Sequence, residues 1–566
     1  MHQAEQVTSN GIHWHFAPAC RELLRDGSLP FAEWQRTGHA QIVKHGPHRT
    51  VWRVTLPGLD VFIKHYRVMN TRAWLRELVR PAKAMLEYRR ALAIAARGVP
   101  TVEPLAVGIP PTTAGPGESY LITRSLAGAE ALSTFLEQTL PQTSPAEQTR
   151  LRQLIAGELG RFVASLHASG IAHDDFHAGN ILIRLDDGLP KLFLIDLHAT
   201  RLGKSLSWRS RLANLVILNR YFSMRASRAD RRRFWNAYVQ AWDAASARST
   251  VRERAKTVEA ATWQSNLAFW KQRDARCLLS NRYYQKLRSP AVVGHAVRDL
   301  DAAALAQLIA DPDAPFTAPG VKLLKDSRSS TVAELQMPVN GNLRPVIYKR
   351  FRVTSALDPW TNAVRRPAAL RSWIAGQGLL ERDLPTARPL AVLHRRRHGL
   401  LHEGYLLMEK VPEAQDLHHH VAGLAALPPD ERRSAVRRIT AAVARLIREM
   451  HRRALAHRDL KATNLLVQPA ALTVKARHDG LWLIDLVGVT RHRRLPETRR
   501  IQNLARLHVS FCQHPLITRT EKLRFLRAYQ QWGVFGKAGW KAVWRAVAAA
   551  TQSKQAKNLR SGRPLA

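Results

Sequence analysis

Apolar and polar positions alternate with period two over Val51-Trp52-Arg53-Val54 and Val61-Phe62-Ile63, on either side of Pro57-Gly58. That alternation predicts a short antiparallel meander over 39–66. A helical pattern follows over 72–97 and stops near Gly98, and 104–124 reads as two more strands. Leu151, Leu154, Ile155, Leu159, Phe162 and Leu166 recur at helical spacing and predict an apolar-faced helix over 148–169. A short hairpin and then mostly helix complete this half. A small β-rich part thus precedes a larger helical part.

The pattern then repeats. Val61-Phe62-Ile63-Lys64-His65-Tyr66-Arg67-Val68 matches Val346-Ile347-Tyr348-Lys349-Arg350-Phe351-Arg352-Val353, 285 residues on. The same offset relates Pro100-Thr101 to Pro385-Thr386, Pro104-Leu105-Ala106-Val107 to Pro389-Leu390-Ala391-Val392, and Tyr120-Leu121 to Tyr405-Leu406. Downstream, Asn214-Leu215 and Asn503-Leu504 stand 289 apart. So long a period is a domain duplication; solenoid repeats have periods of roughly 20 to 50 residues. The expected boundaries are 36–250 and 316–545 for the two copies, with 1–35 and 546–566 as terminal extensions. Residues 251–315 match neither copy. They carry Trp263, Phe269, Trp270, Tyr283 and Tyr284, so they are expected to form a helical, aromatic connecting segment packed on a domain. The alternative is an aromatic, basic surface for nucleic acid or lipid. Pro312, Pro315 and Pro319 mark an extended lead into the second copy.

A chain of 566 residues is too long for one hydrophobic core. Three dispersed cysteines, Cys20, Cys277 and Cys512, supply neither a disulfide framework nor metal-ligand spacing, which favours a reducing compartment. Met1 to Cys20 has no secretory apolar core, and no stretch approaches the roughly 20 apolar residues of a membrane span. The formal net charge of +43 changes the picture more. It favours anionic partners: nucleic acid, an anionic membrane surface or a phosphorylated glycan. Arginine is spread along the whole chain, so an arginine-rich genome is an equally simple source of the excess.

Two loops carry the chemistry. The first reads His173-Asp174-Asp175-Phe176-His177-Ala178-Gly179-Asn180 and the second His457-Arg458-Asp459-Leu460-Lys461-Ala462-Thr463-Asn464. Each precedes an apolar strand ending in an acid, Leu192-Phe193-Leu194-Ile195-Asp196 and Leu481-Trp482-Leu483-Ile484-Asp485. This is the layout of protein-kinase-like phosphoryl transfer. Asp175 and Asp459 would orient the attacking hydroxyl and take its proton. Asn180 and Asn464 would supply neutral oxygen ligands to Mg2+, and Asp196 and Asp485 charged ones. A lone Asp-x4-Asn also occurs as a capped turn; two copies, each with the following strand and acid, point away from that.

Lys64 and Lys349 end β-branched runs, where a buried ammonium needs an anion such as the ATP phosphates. The bland alternative is a lysine snorkelling from an edge strand. Glu87 is expected to pair with Lys64, with Glu77 as second choice. Its counterpart in the other copy is Ser372. The nucleotide-covering turn is unmarked: Lys44 to Val51 aligns with Lys325 to Val332, and neither has Gly-x-Gly-x-x-Gly. A plain hairpin is expected there. His418-His419-His420 reads as surface or substrate-rim.

These residues resemble those of the lipopolysaccharide core kinases, protein-kinase-like enzymes acting on heptose or Kdo sugars. The resemblance covers most of 40–245 and 320–535. It rests on the strand lysine, the helix leading to Gly98-Val99-Pro100, both catalytic loops, and Arg211-Leu212-Ala213-Asn214-Leu215 with Arg500-Ile501-Gln502-Asn503-Leu504. His177 and Gly179 look similar to aminoglycoside and choline kinases. Lys461 looks like the protein-kinase lysine that steadies the γ-phosphate. The Asp-Phe-Gly of such enzymes stands here as Asp196-Leu197-His198 and Asp485-Leu486-Val487-Gly488.

The resemblance implies an α+β fold: two tandem protein-kinase-like domains, each with a small β-rich N-lobe and a larger helical C-lobe. It implies ATP and Mg2+ as cofactors and an anionic glycolipid or sugar acceptor, with nucleic acid not expected. The expected location is cytoplasmic and peripheral at the inner membrane. The first domain is expected to be active and the second active or regulatory. Two alternatives stay open, a Ser/Thr protein kinase and a pseudokinase scaffold binding anionic partners.

Overall fold

The computed structural model describes residues 5–20, 23, 29–69, 71–78, 80–111, 115–355, 357–470, 480–530 and 539–560. The chain divides into two compact units, Met1–Asn266 and Leu267–Ala566. Both are α+β.

In the first unit a seven-stranded antiparallel sheet has the order Glu5–Ser9, Ile12–Phe16, Pro104–Ile109, Ser119–Arg124, Leu59–Tyr66, Arg49–Leu56, Ala40–Lys44. The predicted meander is its second half. Leu56 pairs with Leu59 across Pro57-Gly58. Gly58 takes φ +72°, which a side chain would resist, so Pro-Gly suits this tight turn. Inward positions Val54, Val61 and Ile63 are fully buried. Each such side chain contributes about 1.5–3 kcal/mol of hydrophobic stabilisation.

The second unit repeats the sheet order: Tyr284–Arg288, Val292–Val297, Pro389–Arg397, Leu400–Glu409, Asn342–Phe351, Ser330–Val339, Lys322–Ser327. Two hairpins therefore lie outside the sequence expectation. Residues 5–16 were expected in a terminal extension and 284–297 in a connector matching neither copy. Each instead forms the same sheet edge, with His15 opposite Val107 and His295 opposite Val392. Asn10-Gly11, both at positive φ, is a hairpin signal the sequence reading passed over; that each hairpin joins the sheet edge depends on distant backbone partners that no local pattern announces. The division between units falls within the helix Arg248–Arg276.

The helix expected over 72–97 is two helices, Thr71–Leu78 and Lys83–Ala95. Pro81 lies between them; it lacks the N–H a continuous helix needs and its ring clashes with the preceding turn. The predicted apolar helix spans Pro145–Ala168. Ser144 caps it by accepting from Glu147 N, and Pro145 starts it with a pre-set φ. Its buried face, including Leu151, Ile155, Leu159, Phe162 and Leu166, forms the core of the helical part. The counterpart Pro429–Arg452 does the same in the second unit.

Behind each long helix comes a three-residue strand, the catalytic loop, and a hairpin. Ile181–Asp186 pairs with Leu189–Leu194, and Leu465–Val467 with Leu481–Leu483; residues 471–479 of the second hairpin lie outside the described residues. Among the described residues no helix is long and apolar enough to cross a membrane.

Candidate active site

Lys64 lies on strand Leu59–Tyr66 and Glu87 on helix Lys83–Ala95, 23 residues apart in sequence. The sheet and helix pack so that Lys64 Nζ donates to Glu87 Oε1, with Asp196 Oδ1 at 3.5 Å. Glu87 is almost fully buried, which its charge tolerates because Tyr66 Oη also donates to Oε2 at 2.6 Å. Glu77, the second choice, lies in the separate helix Thr71–Leu78.

Asp196 gathers three cations or donors. Arg49 Nη1 is 2.9 Å from Oδ1, and His198 Nδ1 is 3.1 Å from the same oxygen. Burial would raise its pKa, yet the His198 hydrogen bond and the charges of Lys64 and Arg49 hold the carboxyl well below the usual carboxylate range. Its backbone sits at φ +60°, ψ +48°, a left-handed conformation unusual for a side-chain-bearing residue, and Asp485 repeats this at φ +54°, ψ +59°. Thr101 Oγ1 braces the preceding strand by donating to Leu194 O at 2.7 Å, as Thr386 does to Leu483 O.

The catalytic loop is fastened to this acid-bearing segment. Ile195 N donates to Asn180 O at 3.1 Å, and His173 Nε2 lies 3.3 Å from Ile195 O. Asp175 N donates to His173 Nδ1. Burial pushes the His173 pKa down, so its ring serves as a neutral brace. Asn180 Nδ2 donates to Asp175 O at 2.8 Å. The Asp175 carboxylate itself is 66% exposed, with His177 Nε2 at 3.5 Å. From below, Asn214 Oδ1 accepts from His173 N at 2.9 Å.

The second unit reproduces the loop and not the cluster. His457, Asp459, Asn464 and Ile484 make the matching contacts, and Asn503 Oδ1 accepts from His457 N at 2.9 Å. Asn464 Nδ2 also reaches Asp459 Oδ2 at 3.1 Å, and Lys461 Nζ lies 3.7 Å from that oxygen. Lys349 Nζ pairs with Asp485 Oδ1 at 3.0 Å. Ser372, where Glu87 stands in the first unit, is buried and donates to Ala368 O within its own helix. The hairpin registers place Ser330 at the position of Arg49 and Phe351 at that of Tyr66, and Val487 replaces His198.

Sequence reasoning missed Arg49, Tyr66 and His198. The signal available was their joint replacement in the second copy, together with Glu87. The turns Lys44 to Val51 and Lys325 to Val332 are plain hairpins, as expected. His420, expected at the surface, is buried, while Asp416 caps the backbone of His418 and His419.

The donor set suits a hard divalent cation. Asp196 is held ionised, and Asn180 anchors its NH2 group on Asp175 O, so its Oδ1 is left to act as ligand. Glu87, Asp196 and His198 also offer ligand atoms within 4.8 Å of one another. Lys64 already lies against both carboxylates of that trio, so it reads as the lysine's own counter-charge.

The sequence profile of the lipopolysaccharide kinase (Kdo/WaaP) family matches residues 42–238 and again 325–529. The chain belongs to that family. Both matched stretches contain a strand lysine, a catalytic loop and a strand-end acid. A 3-deoxy-D-manno-octulosonic acid kinase of Xanthomonas campestris pv. campestris is 40% identical over 136 residues, 23% of this chain and 45% of that protein. Enzymes of the same name from Photobacterium profundum and Haemophilus influenzae are 34% and 32% identical over 124 and 136 residues, 22% and 24% of this chain and 44% and 50% of their own lengths. The chain thus spans about half the length of the curated relatives it matches. A solved structure titled "WaaP in complex with acyl carrier protein" aligns with a TM-score of 0.34 at 20% identity, over 47% of this chain and 98% of that one.

Proposed function

We propose that this chain is an ATP- and Mg2+-dependent phosphotransferase built from two protein-kinase-like units. Its acceptor is a sugar hydroxyl of lipopolysaccharide or a related envelope glycolipid. The observation that carries this is the Lys64–Glu87–Asp196 cluster of the first unit, one loop away from the exposed Asp175. Membership in the family supports it, and the names of the relatives point to a sugar acid as acceptor.

In this reading Lys64 binds the nucleotide phosphates and Glu87 holds it in place. Asp175 orients the acceptor hydroxyl and accepts its proton. Asn180 and Asp196 would hold Mg2+, which neutralises phosphate charge when bound. In the second unit Asp459, Lys461, Lys349, Asn464 and Asp485 take the corresponding places. Its lysine lacks the glutamate, tyrosine and arginine surroundings, which favours an active first unit and a second that is weaker or regulatory. The basic chain would work against the anionic cytoplasmic face of the inner membrane, where each Lys or Arg contributes about 1 kcal/mol.

The test is transfer of labelled phosphate from ATP to glycolipid by Asp175→Asn and Asp459→Asn chains. Loss of a general base lowers rates by roughly 10²- to 10⁴-fold. The larger loss is expected in Asp175→Asn. Equal residual activity in the two variants would defeat the one-active-unit assignment.

A further inference from the structure

The two loop aspartates, Asp175 and Asp459, have different charged neighbours. In each unit one helix anchors the catalytic loop through an asparagine, Asn214 on Trp208–Arg225 and Asn503 on Glu497–Val509. Residues four before and three after that asparagine lie on the same side of its helix. In the second unit these are Arg499 and Arg506; in the first they are Ser210 and Ile217.

The loops add to the contrast. Arg458 precedes Asp459, and Lys461 lies 3.7 Å from its carboxylate. In the first unit the corresponding residues are Asp174, which is paired with Arg201 at 2.7 Å, and His177. Lys461 and Arg506 thus lie near Asp459, with Arg458 next to it in the chain and Arg499 near Arg506, where Asp175 has a histidine and a neighbouring carboxylate.

Among the described residues the three arginines form no ion pair, unlike Lys461, and Arg499 Nη1 donates only to the neutral Gln502 Oε1 at 3.2 Å. Arg506 is half-buried. Burial lowers its pKa, the charge of Asp459 opposes that, and Arg458 and Arg499 lower it further. A partly desolvated guanidinium, crowded by like charges with one shared carboxylate near, is a site short of an anion.

We infer that the second unit takes an acceptor bearing an oxyanion, a carboxylate or a phosphomonoester, next to the reacting hydroxyl, and that Arg458, Arg499 and Arg506 bind it. The first unit takes an acceptor without that requirement. The inference rests on the phosphotransferase reading for what the acceptor is. A phosphomonoester made by the first unit is itself a ligand of this class, so the two units are suited to act in succession on one glycan.

Calorimetric binding to the full chain, with no ATP present, tests this. The probes are a sugar acid, its methyl ester and a sugar phosphomonoester; which anion binds tighter identifies the source. Charge-assisted arginine contacts are strong, so Arg499→Gln/Arg506→Gln should weaken binding of the anionic probes at least ~10-fold and leave the ester and Mg-ATP unchanged. Arg499→Gln alone, at an exposed position, should give a smaller loss in the same direction in a chain whose fold is not at risk. Equal binding of acid and ester by the unmutated chain, no acceptor binding at all, or a loss confined to Mg-ATP would overturn the inference. Anion-selective acceptor binding by a chain that never transfers phosphate would instead sink the phosphotransferase reading and leave this one standing.

Discussion

Tyr66 Oη donates to Glu87 Oε2 at 2.6 Å, inside a pocket where both residues are buried. The hydroxyl satisfies the glutamate oxygen that Lys64 does not reach. Burial, and then the neighbouring Glu87 charge, push the phenol pKa well up, so it stays a donor at any working pH. Tyr66→Phe leaves a buried carboxylate oxygen short of a partner, at a cost of about 1–3 kcal/mol. Urea unfolding should show stability fall by that amount. Phe351 already occupies this position in the second unit, and Phe351→Tyr should bring no matching gain because Ser372 offers no carboxylate there.

Glu87→Gln should release Lys64 towards Asp196. In a chain whose second unit is silenced by Asp459→Asn, kcat/KM for ATP should drop by roughly 100-fold, the scale of a misplaced reactive group. Ser372→Ala, read in an Asp175→Asn chain, should change turnover by less than about 2-fold, since the serine hydroxyl only serves its own helix and such polar changes are usually small.

Gly160 marks where helix Pro145–Ala168 meets helix Arg228–Trp242. A Cβ there would stand 2.5 Å from Phe234 O and 2.9 Å from Tyr238 N, both backbone atoms that cannot swing away. Gly160→Ala should therefore cost about 1–3 kcal/mol by overpacking. Gly423 has open space around its Cβ position and helical dihedrals. Gly423→Ala should be neutral or stabilising by about 0.4–1 kcal/mol, through loss of unfolded-chain entropy. Thermal unfolding of the pair checks both signs.

Acid should destabilise the protein through two buried histidines. Burial lowers His167 and His451 to about 3, and each faces a tyrosine hydroxyl, Tyr238 at 2.9 Å and Tyr529 at 2.6 Å. These rings are neutral when folded and take up a proton when unfolded below about pH 6.5. The unfolded state therefore binds more protons, and stability falls as pH drops from about 6.5 towards 3. By pH 5 the loss is about 2 kcal/mol for each ring. Melting curves from pH 7.5 to 5 should show it. His451→Gln, though weaker at pH 7.5, should flatten the slope.

The legible parts of the site were those contiguous in the chain. Asp175 with Asn180, Asp459 with Asn464, and the two strand-end acids are each spelled out within a few residues. The lysines were legible because the duplication repeats their surroundings at one offset. Ser372 was visible as the break in that repeat. Arg49 and Tyr66 were not, because they join the cluster only when a hairpin and a strand end converge on Asp196 and Glu87; His198 lies two residues after Asp196, but no motif assigned it a partner. Pro81 could have divided the helix over 72–97 on sequence alone.

From the residues alone came the duplication, the α+β order of each half, the two loops and the unequal partners of their lysines, since all are local or periodic features of a linear string. Folding decided the rest. It added the hairpins 5–16 and 284–297 to the sheet edges, enclosed Asp196 among Lys64 and Arg49, and brought Arg506 near Asp459. Such features depend on backbone pairing and charge proximity across many tens of residues, distances at which sequence carries no periodic signal.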